Sequence, residues 1–93
     1  MILQNPNLYR FIKFEISSKP YKKYDAILYN IETNKIKKIS FGDTRYEQYY
    51  DKIGHFKHLN HLDNTRRRLY KLRHHKDINN KFSSGWWSYH FLW

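Results

Sequence analysis

Cysteine is absent from this sequence. That removes disulfides, thiolate zinc sites and cysteine nucleophiles together, and it favours a reducing compartment and intracellular assembly. Glycine occurs three times and proline twice, too seldom for a disordered arm or a low-complexity block. Gly42, Gly54 and Gly85 stand apart, so they read as turn residues and not as a phosphate-cradling loop. Acid is scarce as well, with eight Asp and Glu against 18 Lys and Arg. No carboxylate pair, and no nucleophile beside a base, stands at a useful catalytic spacing. The expected role of Asp43, Glu47 and Asp51 is therefore ion pairing or capping, and a non-enzymatic protein without a cofactor is expected. No run reaches the roughly 18 apolar residues that span a bilayer. The opening "MILQNPNLYRFIKF" has neither a basic lead into an apolar run nor a small-residue cleavage site, so a soluble protein is expected.

What is present is positive charge and aromatic rings. A chain of 93 residues makes one domain, residues 1–93, and folding at this size buries only about 60–70% of the unfolded surface. Nine tyrosines, six phenylalanines and three tryptophans exceed what so thin a core holds. Surplus amphipathic rings gather at interfaces, which predicts a partner, a second copy or a lattice. The formal charge of +10 implies acidic partners: nucleic acid, anionic membrane or acidic protein.

Residues 8–16, "LYRFIKFEI", alternate as a strand with Leu8, Ile12, Phe14 and Ile16 on one side, if Arg10 is an edge exception. Residues 24–31 and 35–41 predict a β-hairpin turning at Thr33 and Asn34, with a bulge near Lys37 and Lys38 where alternation falters. Tyr46, Tyr49, Tyr50 and Ile53 fall at helical spacing, predicting a helix over 44–53 stopped by Gly54. Asp63 or Asn64 caps a second helix over "TRRRLYKLRHHK", whose apolar stripe is Leu69 and Leu72. "DINNKFSSG" reads as a loop, and "WWSYHFLW" as an apolar segment that must lie on something. The fold class is α+β: a small antiparallel sheet built on a hairpin, with two or three short helices.

On the basic helix, Arg66, Tyr70 and Arg73 lie at i, i+4 and i+7, with Arg67, Lys71 and His74 in the adjacent row. This face suits phosphate contact with ring stacking, or an acidic protein; the plainer alternative is a solvated face, or arginines paired with Asp43, Glu47 and Asp51. In the segment 86–93, Trp86, Tyr89 and Trp93 share one helical side and Trp87 and Phe91 a neighbouring one. One side should pack on the sheet and the other dock a partner. His55, His58 and His61 recur every third residue before Asp63, a spacing that clusters metal ligands only on a helix. Without cysteine, and in basic aromatic surroundings, imidazoles serve better as hydrogen-bonding or stacking groups, so no metal is expected.

The ordered motifs "FIKFEIS", "KKYDAILYN", "FGDTRYEQYYD", "HLNHxD", "RRxxYxxRH" and "FSxxxxSxxxLW" together resemble a family of small basic proteins of giant nucleocytoplasmic large DNA viruses, with more distant look-alikes in large tailed phages. The resemblance covers residues 11–93 and departs at Asn60 and Leu62, where an acid and a small polar residue are expected. It implies an origin in a large DNA virus and no reaction. The resulting expectation is a virion structural protein of minor-capsid or cement type, located in the virion and the infected-cell cytoplasm, with viral capsid or other virion proteins, or a second copy of itself, as partners. The alternative expectation is a nucleic-acid-binding protein gripping viral DNA or RNA through the basic helix.

Overall fold

The hairpin forms as its sequence demands. In a computed structural model describing residues 8–80 and 82–93, strand β2 (Lys22–Asn30) pairs antiparallel with β3 (Ile36–Asp43) in unbroken register from Lys22↔Asp43 to Tyr29↔Ile36. The segment 1–7 that was read for a targeting signal lies outside the described residues. Asn30 closes the turn. Its N–H donates to the Lys35 carbonyl at 2.9 Å, and its side-chain oxygen accepts from the N–H groups of Glu32 and Thr33 at 2.9 and 3.1 Å. Asn34 takes φ 59°, a left-handed conformation that asparagine tolerates.

The bulge lies elsewhere than expected. Strand β1 (Tyr9–Ile16) pairs antiparallel with β2, completing a β1-β2-β3 meander, and its register shifts between Phe11↔Leu28 and Lys13↔Ile27. Ile12 is the extra residue, and one extra residue reverses which side the following residues face. Tyr9 and Phe11 before it, and Phe14 after it, thus share the core face with Leu28 and Ala26. Arg10, between Tyr9 and Phe11, faces outward as alternation requires and is no exception. No bulge occurs at Lys37 and Lys38; Lys37 sits on the core side and snorkels, its ammonium 5.6 Å from the Phe82 ring centre.

Helix α2 (Ser84–Phe91) covers this face. Ser83 caps it, accepting from the Trp86 N–H at 3.1 Å. Trp87 and Phe91, four residues apart, stack at 5.7 Å and meet Phe14 edge-on at 5.8 and 4.8 Å. Burying Trp87, which is 2% exposed, contributes up to about 5 kcal/mol. The core is Tyr24, Ala26, Leu28, Ile39, Phe41, Trp87 and Leu92. With helix α1 (Asn64–Arg73) the protein is a small α+β fold.

Gly42 brings Leu92 onto the sheet. It has φ +76°, and a Cβ there would lie 3.0 Å from both Leu92 Cδ1 and Lys23 Cβ. Gly42→Ala is therefore expected to cost about 2–3 kcal/mol in urea unfolding. Gly54→Ala, also at positive φ but with its nearest neighbour at 3.7 Å, should cost only the backbone strain, about 1 kcal/mol. Equal costs at the two positions would mean that Leu92 does not press on Gly42.

The helix expected over 44–53 does not form. Its backbone donors go to distant acceptors: Gln48 N–H to Leu59 O at 3.1 Å, Tyr50 N–H to Leu92 O at 3.0 Å and Lys52 N–H to Phe91 O at 3.1 Å. Tertiary partners outcompete the local ladder, so the segment is an irregular arm laid over Tyr24 and the end of α2. A 3-10 turn, Lys57–Leu59, lies within "HFKHLNHL", and a second, His75–Asn79, replaces part of the expected loop.

Candidate functional site

Helix α1 starts where the sequence places it: Asp63 accepts from the N–H groups of Thr65 and Arg66 at 2.9 and 3.1 Å. Its orientation is the reverse of the expected one. No residue of the helix is buried, and the supposed apolar stripe faces out, Leu69 46% and Leu72 63% exposed. The helix is held instead by Arg67, Tyr70, Lys71 and His74, all half-buried. Arg67 donates from Nε to the Trp93 carbonyl at 2.9 Å and lies 4.8 Å from the centre of the Tyr49 ring. Tyr70 lies flat on Trp93, centroids 4.2 Å apart and planes within 4°, with His74 against Tyr70 at 4.3 Å. Lys71 stands 5.0 Å from the Tyr89 ring centre. Burial, then repulsion from Arg67 and Lys52, pushes its ammonium below the ordinary lysine range.

The six residues expected to make one cationic face therefore divide. Arg67, Tyr70, Lys71 and His74 join the helix to the body, and Arg66 and Arg73 remain outside. Arg66 pairs with Glu47 at 3.1 Å, as the plainer alternative anticipated. Among the described residues no carboxylate lies within ion-pair reach of Arg68 or Arg73. The outer face of α1 thus presents Leu69 and Leu72 beside these two guanidinium groups. The aromatic segment divides too. Trp87 is in the core and Phe91 packs against it, so this is the side that lies on the sheet, and Trp87, expected among the partner-docking residues, is buried instead. Trp86, Tyr89 and Trp93 are half-buried; Trp86 rests on His90 at 4.3 Å, and Trp93 carries α1.

A buried polar hub fixes the arm over the sheet, and it was not foreseen. Asp51 is fully buried and accepts from the Tyr24 hydroxyl at 2.5 Å and from the N–H groups of Ile53, Gly54 and Phe56 at 2.8, 3.0 and 2.8 Å. Burial alone would raise its carboxyl, but these donors together hold it below the ordinary carboxylate range. Tyr24 moves the other way, raised by burial and by its bond to Asp51. Lys23, also buried, donates to Gln48 Oε1 and, at 3.0 Å, to the Tyr46 carbonyl. Burial pulls its ammonium down to about 8 against the opposing attraction of Asp51 and Asp43. The expected ion pairs of Asp43 and Asp51 with α1 do not form: Asp43 is held at about 2, first by the side-chain bonds of Arg45 at 3.0 and 2.8 Å. The signal available in the sequence was an isolated acid, Asp51, in a strongly basic chain.

His61 accepts from the Asp63 N–H through Nδ1 at 2.9 Å, which places its proton on Nε2, a buried nitrogen with no hydrogen-bond partner. Its ring lies 5.0 Å from that of Trp93. Among the described residues no three His, Asp or Glu side chains converge to hold a metal ion, and no helix is long and apolar enough to cross a membrane.

Between the open ends of β2 and β3, the outer end of α1 and the first turn of α2 lies a cleft of about 650 Å³. Lys22, Arg73 and His74 line it together with Ser84 and Ser88, and Tyr46 stands in its wall. Its two acids, Asp43 and Glu47, are bound by Arg45 and Arg66. No family model, curated protein or solved structure matches this chain, so the surfaces are weighed on their own geometry.

Proposed function

We propose that the protein is a non-enzymatic, virus-encoded virion structural protein of minor-capsid or cement type, which bridges larger components through the outer face of α1. The supporting observation is the pair Leu69 and Leu72, 46% and 63% exposed beside Arg68 and Arg73. A helix serving only phosphates has no use for two exposed leucines, whereas a protein surface with an apolar patch ringed by acids matches both features. Each leucine buried there contributes about 1.5–3 kcal/mol. The virion setting rests on the motif resemblance described above, and the location follows from it: the particle and the infected-cell cytoplasm.

Purified particles should contain the protein at a fixed ratio to the major capsid protein. Leu69→Gln with Leu72→Gln should lower that incorporation at least tenfold without changing the circular dichroism spectrum, because both residues are exposed and neither belongs to the core. Undiminished incorporation of the double variant would end this reading. Arg68 and Arg73 favour nucleic-acid binding as a second reading. Contact of a duplex with Arg66, Arg68 and Arg73 predicts a log-log salt slope of about −3; a leucine-centred protein contact depends on salt much less.

A further inference from the structure

We infer that the cleft between the ends of β2 and β3 and the two helices binds a nucleotide unit, its phosphate held by Lys22, Arg73, Ser84 and Ser88 and its base laid on Tyr46. At about 650 Å³ the space falls within the 300–1,000 Å³ range of small-ligand sites. Cations from two different elements line it, Lys22 from β2, which also attracts Asp43, and Arg73 from α1, so both border the same space. The acids of the wall do not oppose an anion. Asp43 is clasped by Arg45 through two side-chain hydrogen bonds, and Glu47 is paired with Arg66 at 3.1 Å. Ser88 and the exposed Ser84 add hydroxyl donors to the cations, the mixture that phosphate oxygens accept from.

The ring requirement comes from Tyr46, which is 65% exposed in the cleft wall. Arg45 approaches the Tyr46 ring at 5.8 Å but sits closer to Tyr21, at 4.4 Å, so much of the Tyr46 ring surface stays open to a planar group. A bare anion would leave both this ring and most of the volume unused. A nucleoside phosphate uses both, since every base has a face that stacks on tyrosine. The unit can come from a free mononucleotide or from the end of a single strand, and the chemistry of the cleft is the same for either. The inference does not depend on the leucine face of α1, because only Arg73 is common to the two surfaces.

The test titrates the full chain with adenosine 5′-monophosphate, a 5′-phosphorylated single-stranded tetranucleotide and inorganic phosphate, read by calorimetry and by amide shifts of Gly42, Gly85 and Ser88. Tyr46→Ala and Lys22→Gln, both changes of exposed side chains, should each weaken binding about tenfold. Lys13→Gln, on β1 and outside the cleft lining, should leave it unchanged. Equal affinity for both nucleotide probes supports a free nucleotide as the source, and tight binding of the tetranucleotide alone supports a strand end. Absence of binding by both nucleotide probes, equal affinity for inorganic phosphate and the mononucleotide, or unaltered binding by Tyr46→Ala would each overturn the inference.

Discussion

Asp51→Ala should remove a large share of the protein's stability, about 4 kcal/mol or more. The substitution orphans the Tyr24 hydroxyl and the N–H groups of Ile53, Gly54 and Phe56 at once. Leaving a buried donor unmatched costs about 1–3 kcal/mol each, and even partial relaxation leaves a loss of about 4 kcal/mol or more. A domain of this size has about 5–14 kcal/mol in all. Asp51→Asn keeps the shape but turns an NH2 toward donors, so it should lose about 2–3 kcal/mol. The carboxyl titrates lower in the folded protein than in the unfolded chain, so its contribution is full above the ordinary carboxylate range and is lost as pH falls through the folded value. Acid should therefore destabilise the parent more steeply than the Asn variant. Lys23 adds a dependence at the alkaline end. Its folded value of about 8 lies below the ordinary 10.5, so between these the unfolded chain binds the extra proton and stability rises with pH. Above pH 10 the raised Tyr24 acts in the opposite sense, because the folded protein then keeps a proton that the unfolded chain releases. The melting temperature should climb from pH 8 to about pH 10, and Lys23→Met should flatten the climb. A parent whose melting temperature is level across that interval would show that Lys23 is not held out of water as described.

The parts of this fold that were legible in the sequence are those set by local chemistry. Asn34 signals its turn, Asp63 caps its helix through its own oxygen, and Trp87 and Phe91 meet because they are four residues apart, whereas the cap at Ser83 lies in a stretch that reads as a loop. The parts that misled are those decided across the chain. Tyr46, Tyr49, Tyr50 and Ile53 have helical spacing, yet Asp51 and the carbonyls of Leu59, Phe91 and Leu92 take the donors a helix needs. Ile12 looked like one more residue in an alternating strand, and only pairing with β2 reveals it as a bulge. The inversion of α1 has the same origin. Leu69 and Leu72 are the more hydrophobic residues, but Tyr70 and Arg67 find flat aromatic partners in Trp93 and Tyr49, and ring stacks and cation–π contacts outweigh two leucines on so short a helix. For the candidate surfaces, this meant that the charged residues were identifiable while their division between attachment and exposure was not.

Trp93→Ala should release helix α1 while the sheet stays folded. No α1 residue is buried, and Trp93 supplies its broadest contact, the flat stack on Tyr70 at 4.2 Å. The ties that remain include Arg67 on the Trp93 backbone carbonyl at 2.9 Å, Arg67 and Lys71 over tyrosine rings, Arg66 with Glu47 at 3.1 Å, and the Tyr49 hydroxyl donating to Asn64 at 3.0 Å, all narrower than the stack. A helix of 10 residues is marginal in water without tertiary support, so an undocked α1 should lose its helicity. The expected loss is about 2–3 kcal/mol, and it should be local. Amide exchange would speed up across residues 64–73, while β2 and β3 amides keep their protection. Leu92→Ala is the contrasting variant. Leu92 is fully buried against Gly42 and the core, and its truncation should cost about 2–5 kcal/mol and expose every element together. If Trp93→Ala instead lowers protection uniformly, α1 belongs to the same cooperative unit as the sheet. If it changes nothing, Tyr70 does not depend on Trp93. With α1 released, Leu69, Leu72 and Arg73 would no longer be held in place, so the same variant should lose incorporation into particles, and it should lose nucleotide binding both for that reason and because Trp93 itself lines the cleft.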